Sequence, residues 1–284
     1  MSATQHTSTG HVAAHAEWLD AHFESCRTEY RQALEFVGIQ PGWTVLDAGC
    51  GSGGFLPRMT DLVGPAGQVV ALDLAPENIA HVEQLARTDA RMARVQAKVG
   101  SLLELPFEDG VFDCIWSANV VQYLTDAEFA RSVSECKRVL RPGGILAIKD
   151  VDTRHYGLQP TELGLFERVF AARNAVMAQK GVIGGAGGDT LPARLREAGL
   201  LQVRGKGWMV ENWAPASRAT REFVGNVLKL WGNIAPSYDL PPADLAFWKA
   251  AEADPSTVID DPNFCWREFF VVAVGRNPST FAPA

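Results

Sequence analysis

The run Asp47-Ala48-Gly49-Cys50-Gly51-Ser52-Gly53 holds the residue types best suited to gripping a charged small molecule. Glycines at alternate positions leave the main-chain N–H groups open to close approach, and the helix that follows directs its positive end at the same place. Gly49, Gly51 and Gly54 also satisfy G-x-G-x-x-G, a pattern that alone is compatible with a dinucleotide. Asp47 argues against phosphate. It stands two residues before the first glycine, where a carboxylate repels phosphate oxygens and attracts an ammonium group. Asp73 follows the last glycine by about 20 residues, the interval at which an acidic side chain can take two ribose hydroxyls.

The elements around these residues read as an alternation of strands and helices. Trp43–Leu46, after the turn signal Pro41-Gly42, reads as a buried strand; Phe55–Leu62 reads as a helix and Gln68–Leu72 as the next strand. Glu77–Arg87 is a helical segment, Val95–Val99 and Phe112–Trp116 are strands, and Thr125-Asp126 caps a helix that runs to Leu140. Pro142 and Gly143 are expected to stop that helix and turn the chain into strand five. In an open α/β sheet, ligands lie beyond the carboxyl ends of the strands. That rule places Asn119, Gln122 and Tyr123 near the chemistry, and likewise His155-Tyr156 after strand five.

Four segments carry a family resemblance. Val45–Gly53, Gly100–Phe107, Ser117–Leu124 and Arg138–Ile148, in that order, resemble the motifs of class I S-adenosylmethionine (SAM)-dependent methyltransferases of the type-11, small-molecule kind. The resemblance runs motif by motif from Trp43 to Val151 and more loosely to Val274. It implies SAM as cofactor and S-adenosylhomocysteine (SAH) as product. Asp47 would lie near the methionine ammonium, with Gly49, Gly51 and Gly53 against the ligand, Asp73 and Leu74 at the ribose, Ser101 and Leu102 at the adenine, and Asn119 and Gln122 toward the methionine end. Ser101 departs from the family, which commonly has an acidic residue there; a hydroxyl can still accept the adenine amino group's bond. The implied fold is α/β: a Rossmann-like, seven-stranded mixed sheet with helices on both faces and helical lid elements, closed by a hairpin of Leu200–Val210 and Phe264–Val274.

The expected organisation is a disordered tail over 1–10, a helical lid over 11–38 broken near Cys26–Glu29, and a catalytic domain over 39–284 with lid insertions at about 152–188 and 214–262. Gly181–Gly188 reads as a hinge or flexible loop, because no apolar strand leads into it and no Gly-Lys-Ser/Thr follows. His11, His15 and His22 share a helix face with Trp18, which suits a metal site, a lid over the active site, or an ordinary exposed face. His155 is the candidate base, with Tyr156 and Tyr123 as alternatives. No metal is expected, since Asp150 and Asp152 face no carboxylate in Trp116–Asn119.

Composition narrows the partners. The net charge is −7 with no dense Lys/Arg run, which disfavours nucleic acid. No apolar run reaches the roughly 20 residues that span a bilayer, and the N-terminus lacks a signal-like apolar stretch, so the expected setting is cytoplasmic and away from membranes. The five cysteines form no C-x-x-C pair and read as reduced packing residues. Tryptophans 208, 213, 231, 248 and 266 crowd the C-terminal third, where one or two are expected to line a pocket for a small apolar or aromatic acceptor. The expected function is methyl transfer to such a molecule, the chain acting alone or as a homodimer. The alternatives are methylation of a protein or nucleic acid, and a cyclase or isomerase that binds SAM without transferring methyl.

Overall fold

The sheet is built outward from a strand with almost no contact with water. Thr44–Ala48 (β1), buried from Val45 onward, pairs in parallel with Gln68–Asp73 (β2) on one side and Phe112–Ala118 (β4) on the other. Val95–Val99 (β3) extends the β2 edge, and Leu140–Val151 (β5) lies parallel to β4. Strands covered on both faces should be buried without interruption, and β4 is from Phe112 to Ser117 and β5 from Gly144 to Val151, although Asp113, Lys149 and Asp150 interrupt their apolar runs. Cys265–Arg276 (β8) then enters antiparallel beside β5, with Leu201–Trp213 (β7) antiparallel along its far side. A three-residue strand, Gly157–Gln159 (β6), continues the β5 side of β8, so the sheet has eight strands rather than seven. The computed structural model describes residues 16–184 and 187–278; the expected tail over 1–10, with His11 and His15, lies outside them.

Two helices, Ala16–Ser25 (α1) and Arg27–Val37 (α2), meet at Cys26, where the break was expected. Tyr30, Ala33, Leu34 and Val37 of α2 are buried with residues of Leu56–Val63 (α3) and Pro76–Thr88 (α4) on one face of the sheet. The other face is covered by Asp126–Val139 (α5) and Leu191–Glu197 (α7). Thr125 and Glu128 form the capping box of α5 that the sequence signals. Strand five begins earlier than expected: Leu140 already pairs with Phe112, and Pro142-Gly143 lie in an irregularity inside the strand rather than in a turn before it.

A third apolar cluster stands apart from the sheet. Leu165–Gln179 (α6), Arg218–Ile234 (α8) and Pro242–Ala253 (α9), followed by the single turn Ser256–Ile259 (α10), bury Phe166, Phe170, Trp231 and Trp248 against Trp266 of β8. Arg168 of α6 and Asp244 of α9 are joined by two hydrogen bonds of 2.6 and 2.7 Å. This cluster roofs the carboxyl ends of the strands together with α1. The described part of the glycine stretch is packed closely rather than loose. Ile183 and Gly184 donate backbone bonds to Leu124 and Gln122, and a Cβ on Gly188 would lie 2.8 Å from the Val151 carbonyl oxygen. Among the described residues no helix is long and apolar enough to cross a membrane.

Candidate active site

Beyond the carboxyl ends of β1, β2, β4 and β5 lies a cavity of about 430 Å³, within the ordinary range for small-molecule sites. Its floor is the glycine loop. Gly49, Gly51 and Gly53 all have positive φ, and a Cβ on Gly49 would sit 2.4 Å from Val120 Cγ2, so only glycine fits there. Asp73 braces the loop from beside it: one carboxylate oxygen accepts from Gly51 N–H at 2.8 Å, the other from Ala75 N–H at 2.9 Å and Asn78 Nδ2 at 3.1 Å. A carboxylate has about four acceptor positions, so capacity remains for ribose hydroxyls. Ser101 uses its Oγ to accept from Leu103 N–H, which leaves its own O–H free to turn toward a ligand.

Of the ten residues expected at the cofactor, Gly49, Gly51, Asp73, Leu74, Ser101, Leu102, Asn119 and Gln122 line the cavity. Asp47 and Gly53 are not brought to its wall. Asp47 is 1% exposed, its Oδ2 has no hydrogen-bond partner, and burial, with Asp73 nearby, pushes its carboxyl up to about 8. An orphaned buried acceptor behind a glycine cradle fits a ligand that brings an ammonium to this place. The residues present therefore fit SAM.

The opposite half of the cavity is apolar and aromatic, with Trp18, Phe170, Phe223, Val227 and Trp231 on its walls. Polar groups converge at its base. His22 of α1 places Nε2 2.9 Å from Oε1 of Glu268, and the Tyr30 hydroxyl is 3.3 Å from the same nitrogen. Lys149 Nζ lies 3.1 Å from that hydroxyl and 2.5 Å from Asn119 Oδ1, and 4.6 Å from each of the Tyr30 and Phe270 ring centroids. Burial lowers the pKa of Lys149 against the pull of Glu268. Asn119 adopts φ 60°, a conformation uncommon outside glycine, and its N–H donates to the Lys149 carbonyl. Asp150, pushed up to about 6 by burial, accepts from Gln122 N–H at 2.9 Å and so holds the turn that presents Gln122 and Tyr123.

The three residues considered as a base divide. Tyr156 and Tyr123 line the cavity, and burial raises the pKa of both phenols. His155 does not reach it: the single turn Thr153–His155 leaves the imidazole exposed, with its ring edge-on to Phe269 at 5.0 Å. The backbone explains this, since Asp152 N–H still bonds to Phe269 O as an extension of β5 and the chain then turns outward. Glu268, Lys149, Tyr30 and Cys26 were not singled out by the sequence as site residues, although ionisable residues inside apolar strands, such as Lys149 and Glu268, are a signal that burial must be compensated. Of the C-terminal tryptophans, Trp231 and Trp266 line the cavity and Trp213 is exposed. Asp150 bonds backbone and Asp152 pairs with Arg154 at 2.5 Å. Among the described residues, His22, Cys26 and Glu268 form the group whose ligand atoms, within 4.8 Å of one another, could approach a metal ion.

Comparison with known proteins agrees with this geometry. Residues 45–144 match the family model described as a methyltransferase domain. Demethylmenaquinone methyltransferase of Staphylococcus aureus is 31% identical over 153 residues, 52% of this chain and 57% of that protein. The chain spans about half the length of the curated relatives it matches. Among solved structures, phosphoethanolamine N-methyltransferase 2 of Haemonchus contortus in complex with SAM superposes with a TM-score of 0.55 at 17% identity, covering 93% of this chain and 58% of that one. The cyclase SpnF superposes with a TM-score of 0.54 at 22% identity, covering 90% and 82%. These two share the fold. Residues 45–144 thus carry the matched methyltransferase domain, with the SAM-fitting loop at the switch point of the sheet, and the chain as a whole is similar to class I SAM-dependent methyltransferases.

Proposed function

We propose that this protein transfers a methyl group from SAM to a small, largely apolar acceptor that carries an aromatic or quinone-type ring. The observation that carries this reading is the single cavity that joins the glycine loop to a chamber walled by Trp18, Phe170, Phe223 and Trp231. When bound, SAM supplies a methyl carbon already activated by its sulfonium sulfur. The chain's part is to align the acceptor with that carbon and keep water out, and an aromatic chamber roofed by helices serves both ends. Asp73 and the loop N–H groups hold the nucleoside end, Asp47 attracts the ammonium, and Asn119 with Gln122 border the passage between the two halves. The curated relative named above acts, by its name, on demethylmenaquinone, which supports a ring-bearing acceptor. The walls that α1, α6 and α8 raise around the chamber disfavour a protein or nucleic-acid substrate.

Incubation with methyl-labelled SAM and a panel of reduced hydroxynaphthoquinones and simple phenols tests the reading. Label should appear in at least one acceptor with equimolar SAH. Tight SAM binding with no SAH formed across the panel would sink it.

A further inference from the structure

One imidazole on the cavity wall is held as a base requires. His22 reaches from α1 to β8, where Glu268 is 3% exposed. Burial works against the charge of Glu268, yet His22, the Cys26 thiol and Lys149 together hold its carboxyl below the usual range, so it is ionised and can only accept hydrogen bonds. Cys26 Sγ lies 2.5 Å from Oε1, and burial and the neighbouring Glu268 raise its pKa, so the thiol keeps its proton and donates it. His22 Nε2 must donate to the same oxygen. In its neutral form the imidazole therefore carries its proton on Nε2 and its lone pair on Nδ1, an atom with no hydrogen-bond partner among the described residues, on a side chain that is 14% exposed and lines the cavity. The ring is fixed in that pose by Phe223, stacked at 4.2 Å with 12° between planes, and by Tyr30 edge-on at 5.9 Å. A metal at this cluster would need the thiol deprotonated, and the hydrogen bonds to Glu268 already account for its spacing.

We propose that His22, oriented by Glu268, is the general base of this site, and that the acceptor it serves carries an acidic hydroxyl on an aromatic ring, a phenol or hydroquinone. The proposal rests on the methyl-transfer reading and names the acceptor's chemistry. In the step, the acceptor O–H bond breaks, its proton forms a bond to Nδ1, and its electron pair stays on the oxygen and the conjugated ring; nothing is oxidised or reduced. Glu268 then faces an imidazolium, an arrangement that stabilises the charged pair. A phenol ionises near the tyrosine value of about 10, within reach of an imidazole, whereas an aliphatic hydroxyl is nearly as reluctant as water at about 15.7. Arg173 lines the same chamber without a salt bridge among the described residues, and its charge favours a phenolate over an ammonium.

The probe is 4-nitrophenol, whose neutral and ionised forms absorb at different wavelengths, added at about pH 6 to the protein loaded with SAH so that no turnover can occur. The phenol should quench tryptophan fluorescence and ionise on binding. His22→Gln and Glu268→Gln should retain SAH affinity, which also reports that they fold, while bound phenolate falls by roughly tenfold or more, a shift of one pKa unit or more in the bound phenol. Equal phenolate in wild type and His22→Gln, or a phenol that binds the wild type and stays neutral, overturns the base. SAH binding with no phenol bound overturns the acceptor class. Failure of SAH itself to bind would instead strike the methyl-transfer reading beneath both.

Discussion

Asp47 and Asp73 sit on either side of the same loop, and their different surroundings give them different work. Asp73 has a donor on each oxygen and can brace the loop as a carboxylate, whereas Asp47 has an unpartnered buried oxygen and a carboxyl pushed up to about 8. A carboxyl raised on folding contributes stability that is present below its ordinary range and is lost as pH rises toward about 8. An ammonium brought close reverses this by favouring the ionised form. SAH binding at neutral pH should therefore release close to one proton, seen as binding heats that change with the ionisation enthalpy of the buffer; heats independent of buffer would remove the ammonium from Asp47. Asp73→Ala should weaken SAH binding by roughly 1–3 kcal/mol in calorimetry, since ribose hydroxyls and the Gly51 N–H lose an acceptor together. Wild-type affinity would rule out this placement. Both acids could be singled out in the sequence because each stands at a short, fixed distance from the glycines, and the structure brings Asp73, not Asp47, to the cavity wall. His22 and Glu268 were not paired by the sequence because 246 positions separate them, and only the return of β8 beside β5 brings them together.

Elements were legible where a period or a cap marked them. The break at Cys26, the capping box at Thr125 and the apolar run of β8 were readable, whereas β6 and α10, at three and four residues, are too short to carry a period. What the sequence could not show is how closely α1 lies on the glycine loop. A Cβ on Gly51 would meet Leu19 Cδ1 at 3.0 Å, and one on Gly54 would meet Phe23 Cδ2 at 2.6 Å. Gly54 is thus needed for the packing of a helix against it, although G-x-G-x-x-G invites a ligand-binding explanation. Gly54→Ala should push Phe23 aside at a cost of about 1–3 kcal/mol. Hydrogen exchange should then rise in α1 while β1 and β4 keep their protection; unchanged exchange in α1 would show that Phe23 yields without disturbing its helix.

At the scale of the whole molecule, α1 touches both halves of the cavity. Leu19 and Phe23 rest on the glycine loop, while Trp18 and His22 belong to the aromatic chamber and pack on Phe223 of α8. One ten-residue helix therefore borders both halves of the cavity. If the first ligand leaves only past α1 and the second holds that helix down, whichever enters second slows the departure of the first. Stopped-flow measurement should find SAH leaving several-fold more slowly once 4-nitrophenol fills the chamber. Identical departure rates would mean that each ligand has its own way out.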